Sequence, residues 1–399
     1  MTLDLAALLA DLQVMSETMV EVDQTRRSAL QIARQRLTTY ADAVDDILKK
    51  VQITREQNLH WRGSYPATDE RLDACHPCPT LPSRVNIIAN DGSQVPIDRH
   101  AATLFYALNI GYVIYPYGTD GPPHVEARPS LHFRDEDILD DSGELIPNAV
   151  VNARRTVREI ENLADVATAY AQFEPPLVVL SDGPLIWVQP GRTPQERRRN
   201  LEPYLAGLER LKKARAALGG YVDRPRSNGF LSLLQLSTLR PEELTRERLD
   251  HNDMIGLTDA RLFAQLLRPG ERSALFIRQS PMNALYADKS QEIWHFYLNV
   301  SDDPSHPLIV RIESPGWVGE NQQALDLLHA AVCQQCGIVG TYPYVLARAH
   351  ELALISSDER RDLETMVVGA LRRQGLEVRT SEKAWQKALT GGTKRRHRL

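Results

Sequence analysis

Apolar residues recur at helical spacing from the start of the chain. Leu5, Leu8, Leu12, Met15, Met19 and Val22 step by three and four, and Leu30, Ala33, Leu37, Tyr40, Val44, Ile47 and Val51 resume that spacing after a phase break. Residues 1–62 contain neither Gly nor Pro, so nothing interrupts a helical backbone there. The pattern predicts an N-terminal helical, coiled-coil-like arm whose apolar seam packs either on the chain's own body or on a partner. Residues 63–82 gather Gly63, Pro66, Pro77, Pro79 and Pro82 and read as a linker.

From residue 83 the pattern changes to short apolar runs separated by helical stretches. Val85–Ala89 reads as a strand ending in Asn90-Asp91-Gly92-Ser93, and Leu104–Tyr117 as one or two strands. Residues 118–147 read as a loop with a short strand at Leu131–Phe133. A helix is predicted from about Pro147 to Phe173, and a buried strand at Leu177–Leu180 that ends in Ser181-Asp182-Gly183. A second helix is predicted from about Thr193 to Leu218, closed by Gly219-Gly220, with a strand at Tyr221–Arg224 after it. Strands at Ala274–Ile277, Ile293–Val300 and Leu308–Ile312 precede closing helices between Asn321 and Arg373. The order predicts one elaborated α/β domain over 83–375 with a mixed central sheet flanked by helices, followed by a basic tail at 376–399.

The chain has 399 residues, 42% hydrophobic and 25% charged, with 22 Gly and 24 Pro, which excludes a collagenous or wholly disordered protein. No run approaches the roughly 20 apolar residues of a spanning helix, and the N-terminus lacks the basic and apolar regions of a signal peptide. A protein with no membrane association, cytoplasmic in location, is expected. The net charge of -5 argues against a generic nucleic-acid coat, so any DNA contact must come from local basic patches. One such patch is Arg197, Arg198, Arg199, Arg210, Lys212, Lys213 and Arg215 on the second helix, unless it is only a solvated face.

Candidate chemistry sits at the strand ends. Asp91-Gly92 and Asp182-Gly183 each follow an apolar strand; Asp-Gly is a common turn dipeptide, but ligands of open α/β sheets also lie beyond strand ends. Converging carboxylates repel unless a cation neutralises them, and oxygen ligands suit Mg²⁺ or Mn²⁺. On the intervening helix Glu159 shares a stripe with Leu163, Val166 and Tyr170, so its carboxylate faces inward, towards a metal or towards Arg155 four residues earlier. Glu161 lies with Asp165 and Thr168 and reads as solvated. His350, on the face of Leu346 and Ala353, is either a hydrogen-bonded core residue or a ligand. Cys75, Cys78, Cys333 and Cys336 form two CxxC pairs, which could complete a structural Zn²⁺ site or, in the case of Cys333 and Cys336, be core residues on a helix.

The order Asp, Glu, Asp, His resembles the acidic constellation of ribonuclease H-like folds. DGSQ at 91–94, Arg155 to Glu159, SDGPL at 181–185, GYVDRPRS at 220–227, GERSALF at 270–276, RIESPGWV at 311–318 and TYPYVLARAHELALIS at 341–356 together resemble the NurA nuclease family. The resemblance implies metal binding by Asp91, Glu159, Asp182 and His350. Tyr221 and Arg224 of GYVDRPRS are read as phosphate contacts, and Arg224 and Arg226 extend the basic patch that follows the second helix. It further implies 5'-to-3' exonuclease and single-strand endonuclease activity with two Mn²⁺ or Mg²⁺ ions, and homodimers working with a HerA-like hexameric ATPase in DNA end resection. A non-catalytic scaffold, or a ribonuclease or resolvase on the same fold, are the competing expectations.

Overall fold

The computed structural model describes residues 5–172, 175–187, 194–287 and 291–376. The basic tail segment 394–398 lies outside them. Two compact units divide the chain: Met1–Val85 with Val178–Val188 and Ala216–Tyr344, and Asn86–Leu177 with Gln189–Arg215 and Val345–Leu399.

The first unit is built on strands in the order Ser64–Pro66, Phe276–Arg278, Ile293–Asn299, Ile309–Pro315, Ala217–Val222 and Leu177–Asp182. The first five pair antiparallel and the last pair is parallel, so the sheet is mixed as expected. Ile293–Asn299 is buried at every position, which fits its mostly apolar and aromatic run IWHFYLN, with His295 and Asn299 as buried polar members. Phe230, Phe263, Phe276 and Tyr297 pack ring against ring at its core.

The helical arm is two helices, Leu9–Tyr40 and Val44–Glu56. Its second apolar series packs on the body: Ala33, Leu37, Val44, Ile47 and Val51 are buried, Leu30 and Tyr40 are half-buried, and Lys50 donates to the carbonyl of Ser237 at 3.0 Å. The helix Gly229–Thr238 receives both arm helices. The first series differs, since Leu5, Leu8, Leu12, Met15 and Met19 stay exposed. The stretch read as a linker is part of the sheet instead: Ser64–Pro66 pairs with Phe276–Arg278, and Cys75–His76 with Arg272–Ser273. Strands of two or three residues carry too little alternation to stand out among turn residues.

In the second unit Tyr106–Tyr117 pairs antiparallel with His124–His132 and lies beside Val85–Val95. The helices Asn148–Tyr170 and Pro194–Lys213 pack together, with Gly207 against Ile160. Two expectations change here and in the neighbouring strand. Val85–Val95 runs through Asp91-Gly92, which is not a turn. The second predicted helix ends at Lys213, where Arg215 takes a left-handed φ of 54°, and Gly219-Gly220 lie inside the strand Ala217–Val222. A Cβ at Gly219 would stand 2.6 Å from Leu328, and one at Gly220 2.7 Å from the Gly183 carbonyl, so these glycines serve close approach rather than a helix end.

Candidate active site

Asp91 is the seventh residue of its eleven-residue strand, flanked by buried Asn90 and by Gly92. Its Oδ1 accepts from the Gly92 amide at 2.7 Å, and its Oδ2 lies 2.6 Å from His350 Nδ1. His350 stands on the helix Tyr344–Ala353, where Leu346 and Ala353 are buried while the imidazole is 63% exposed. It is therefore not a core histidine. The helix is held against the strands at close quarters. Ser93 Oγ donates to the Ala353 carbonyl, and Asn109 Nδ2 donates to Leu352 and Ala353 at 3.0 and 2.9 Å. Gly111 admits the helix backbone, since a Cβ there would lie 2.6 Å from the Ala353 nitrogen.

Glu159 reaches the same strand from the other helix. Its carbonyl accepts from Asn90 Nδ2 at 2.6 Å, and its Oε1 lies 2.5 Å from the point a Cβ on Gly92 would occupy. The absence of a side chain at residue 92 thus leaves space for the Glu159 carboxylate against this strand. Arg155 Nε stands 3.2 Å from Glu159 Oε1, so the helix ion pair and the inward carboxylate, posed as alternatives from the sequence, coexist. Glu159 is 18% exposed; Glu161 is 37% exposed and paired to Arg158 at 3.3 Å.

Asp182 belongs to the first unit, at the end of Leu177–Asp182, with Gly183 turning the chain at φ 83° and donating to the Tyr221 carbonyl at 2.8 Å. The residues after it are fixed by a group the sequence reading missed. Glu313, 5% exposed, accepts from the amides of Leu185 and Ile186 at 2.8 and 3.2 Å and from Arg311 Nη2 at 2.7 Å. Tyr286 adds to this, donating to the Leu185 carbonyl at 3.1 Å and accepting from the Trp187 amide at 3.0 Å. The RIESP and SDGPL motifs are therefore one structural device, and an acid inside an apolar strand was the available signal. A cavity of about 10 Å³, room for about one water, lies among Ser64, Arg278, His295, Arg311 and Glu313. Burial, with Arg311 and Arg278 nearby, pushes the His295 pKa well below the ordinary histidine value.

Other expected positions separate. Tyr221 is fully buried, with its hydroxyl on the Thr341 carbonyl at 2.8 Å, so it supports the strand and is not placed to touch a phosphate. Burial drives its phenol pKa upward. Arg224 and Arg226 are exposed, with Arg224 3.7 Å from Asp223 and beside a cleft of about 300 Å³ that also holds Asp302, Asp303 and His306. Arg197, Arg198 and Arg199 lie on the helix Pro194–Lys213, but their side chains are outside the described residues. Arg210 on that helix pairs with Asp165 at 2.7 Å. The four-cysteine set does not assemble: Cys336 is buried with its sulfur 3.9 Å from the Tyr221 hydroxyl, whereas Cys78 and Cys333 meet at His329.

A model of the NurA domain matches residues 85–355, which is more than half of the chain. The chain belongs to the NurA family of nucleases. No curated protein matches it by sequence. Among solved structures, the NurA nuclease from Sulfolobus solfataricus is 12% identical, with 86% of this chain and 97% of that chain covered at a TM-score of 0.46. A NurA structure with manganese is 13% identical over 83% of this chain and 98% of that one, at 0.37. The catalytic domain of human endonuclease V is 13% identical over 79% and 96%, at 0.33. The matched span of the NurA domain contains Asp91, Glu159, Asp182, His350 and Glu313, so the buried acid of RIESP is a feature of this chain's NurA domain.

Asp91 with His350 on its Oδ2, and Glu159 at Gly92 of the same strand, offer oxygen and nitrogen donors of the kind that suit Mn²⁺ or Mg²⁺. Among the described residues Asp91, Glu159 and His350 do not close into a group with all ligand atoms within 4.8 Å. No helix among the described residues is long and apolar enough to cross a membrane.

Proposed function

We propose that this NurA-family chain is a metal-dependent nuclease that hydrolyses DNA phosphodiester bonds, with Asp91, Glu159, Asp182 and His350 as its metal-binding and catalytic residues. The observation that carries the reading is the Asp91–His350 pair at 2.6 Å, on a strand that Glu159 also reaches at the next residue, Gly92. A divalent ion there would supply Lewis acidity at the phosphoryl oxygen and an activated water, with a second ion stabilising the leaving oxygen. Asp91 has one oxygen tied to the Gly92 amide and the other on the imidazole, so it orients His350 while presenting negative charge. Arg155 offsets part of the Glu159 charge. For Asp182 the support is its place at a strand end within the matched domain.

The product pattern proposed is 5'-to-3' exonucleolytic with endonucleolytic cuts in single strands, during end resection at double-strand breaks. The proposed partner is a HerA-like hexameric ATPase, and the chain is proposed to act as a homodimer in the cytoplasm. Arg224, Arg226 and the Arg197–Arg199 run are proposed to bind backbone phosphates, giving salt-dependent affinity. The test is cleavage of end-labelled single-stranded DNA with Mn²⁺. Asp91→Ala is expected to reduce the rate by about 100-fold or more, while His350→Ala costs about 10- to 100-fold in apparent metal affinity. Cleavage unchanged in Asp91→Ala overturns the assignment, and no cleavage by the wild type with Mn²⁺ or Mg²⁺ supports a scaffold instead.

A further inference from the structure

A second donor set lies in the first unit. The ligand atoms of Cys78, His329 and Cys333 all lie within 4.8 Å of one another. His329 and Cys333 are four residues apart on the helix Gln322–Val339 and therefore share a face. Cys78 comes to them from the loop after Cys75–His76, where the Gly270 backbone also approaches: a Cβ on Gly270 would lie 3.3 Å from that of Cys78. Oxygen-rich sites suit Mn²⁺ and Mg²⁺, whereas two thiolates and an imidazole suit Zn²⁺.

The histidine supplies an independent sign of a missing ligand. His329 is fully buried, its Nε2 lies 2.8 Å from the Gly270 carbonyl, and its Nδ1 has no hydrogen-bond partner among the described residues. A carbonyl can only accept, so Nε2 carries the proton and Nδ1 holds a bare lone pair. Buried polar atoms seldom go unpaired. A metal-ligating histidine characteristically donates its other ring N–H to a backbone carbonyl, as Nε2 does here, which leaves Nδ1 as the ligand atom of the proposed site.

We infer that Cys78, His329 and Cys333 bind a zinc ion, with the fourth position open to solvent beside exposed Cys78. Both thiols release their protons to solvent on binding, and two thiolates with a neutral imidazole balance the charge of Zn²⁺. The ion ties the loop at residue 78 to the helix Gln322–Val339. Neither Cys75 nor Cys336 belongs to the set. This inference does not depend on the nuclease reading.

The test uses the full chain purified without chelator under reducing conditions. About one zinc per chain is expected by elemental analysis, removable by chelator and restored by Zn²⁺ alone, with the thermal midpoint rising on restoration. Co²⁺ in its place is expected to show the visible absorption of a tetrahedral thiolate site. Cys78→Ser, Cys333→Ser and His329→Ala are expected to lose the metal, and Cys75→Ser and Cys336→Ser to keep it. The wild-type chelation and restoration cycle decides the matter even where a variant fails to fold. Failure of the reduced protein to retain or take up zinc overturns the proposal. So does full zinc occupancy in folded His329→Ala, loss of the metal in folded Cys75→Ser or Cys336→Ser, or a Cys78–Cys333 disulfide in protein that takes up no zinc after reduction.

Discussion

Gly92 shows how one missing side chain positions chemistry. The Glu159 carboxylate and the Ile110 side chain would stand 2.5 and 2.9 Å from a Cβ there, so neither can stay in place beside an alanine. Gly92→Ala is expected to leave the strand paired, because Val85–Val95 is extended at this point, but to displace Glu159. The measurable outcome is folding close to wild type by circular dichroism with Mn²⁺-dependent cleavage lowered at least about tenfold. Wild-type cleavage in this variant would show that Glu159 does not need its present position. Asp91-Gly92 also marks a limit of sequence reading. As a dipeptide it signals a turn, and only the partner side chains reveal that the glycine is there for space.

Elements were legible where their apolar pattern was long. The helix Asn148–Tyr170 and the strands Leu177–Asp182 and Ile293–Asn299 followed from periodicity or from buried runs. The strands at 64–66 and 75–76 were not legible, because their register is set by distant partners rather than by their own residues. For the candidate site, the inward stripe on Asn148–Tyr170 singled out Glu159 as an inward-facing acid, but the role of Glu313 required knowing which amides come to it. On the helix Leu9–Tyr40 the two apolar series diverge: Ala33 and Leu37 of the second are buried, while Leu12, Met15 and Met19 of the first are 49%, 52% and 51% exposed. An exposed seam of this kind suits coiled-coil pairing with a second copy. Replacing Leu8, Leu12 and Met15 by Gln is expected to halve the mass seen by sedimentation while moving the thermal midpoint only slightly, since surface changes cost within about 0.5 kcal/mol. An unchanged dimer would move the proposed interface elsewhere.

For the whole molecule, buried His295 makes stability depend on pH. Its folded pKa lies well below the unfolded value of about 6.5. Between those values the unfolded chain binds a proton that the folded chain does not, so stability rises with pH across that window and is lost as pH falls below about 6.5. The contribution changes by up to about 1.4 kcal/mol per pH unit. Urea midpoints are expected to fall from pH 7 to pH 5, and His295→Gln to flatten that fall. Parallel pH profiles for wild type and variant would mean that other groups carry the effect. The net charge of -5 also takes a different meaning at this scale. Arg210 is matched by Asp165 and Arg311 by Glu313, so many of the cations counted in the sequence are already engaged within the fold.

The hold of Glu313 on the segment after Asp182 is unequal between its two sides. One carboxylate serves two main-chain amides, and every residue except proline offers such an amide. Mutational drift at position 186 can therefore proceed with little consequence, and at 185 it is limited mainly by the burial of Leu185. At 313, by contrast, loss of the carboxylate strands two amides and the guanidinium of Arg311 together. In a lineage of such chains the RIESP acid would stay fixed while part of the turn it holds diversified, and its invariance would be mistaken for a catalytic one.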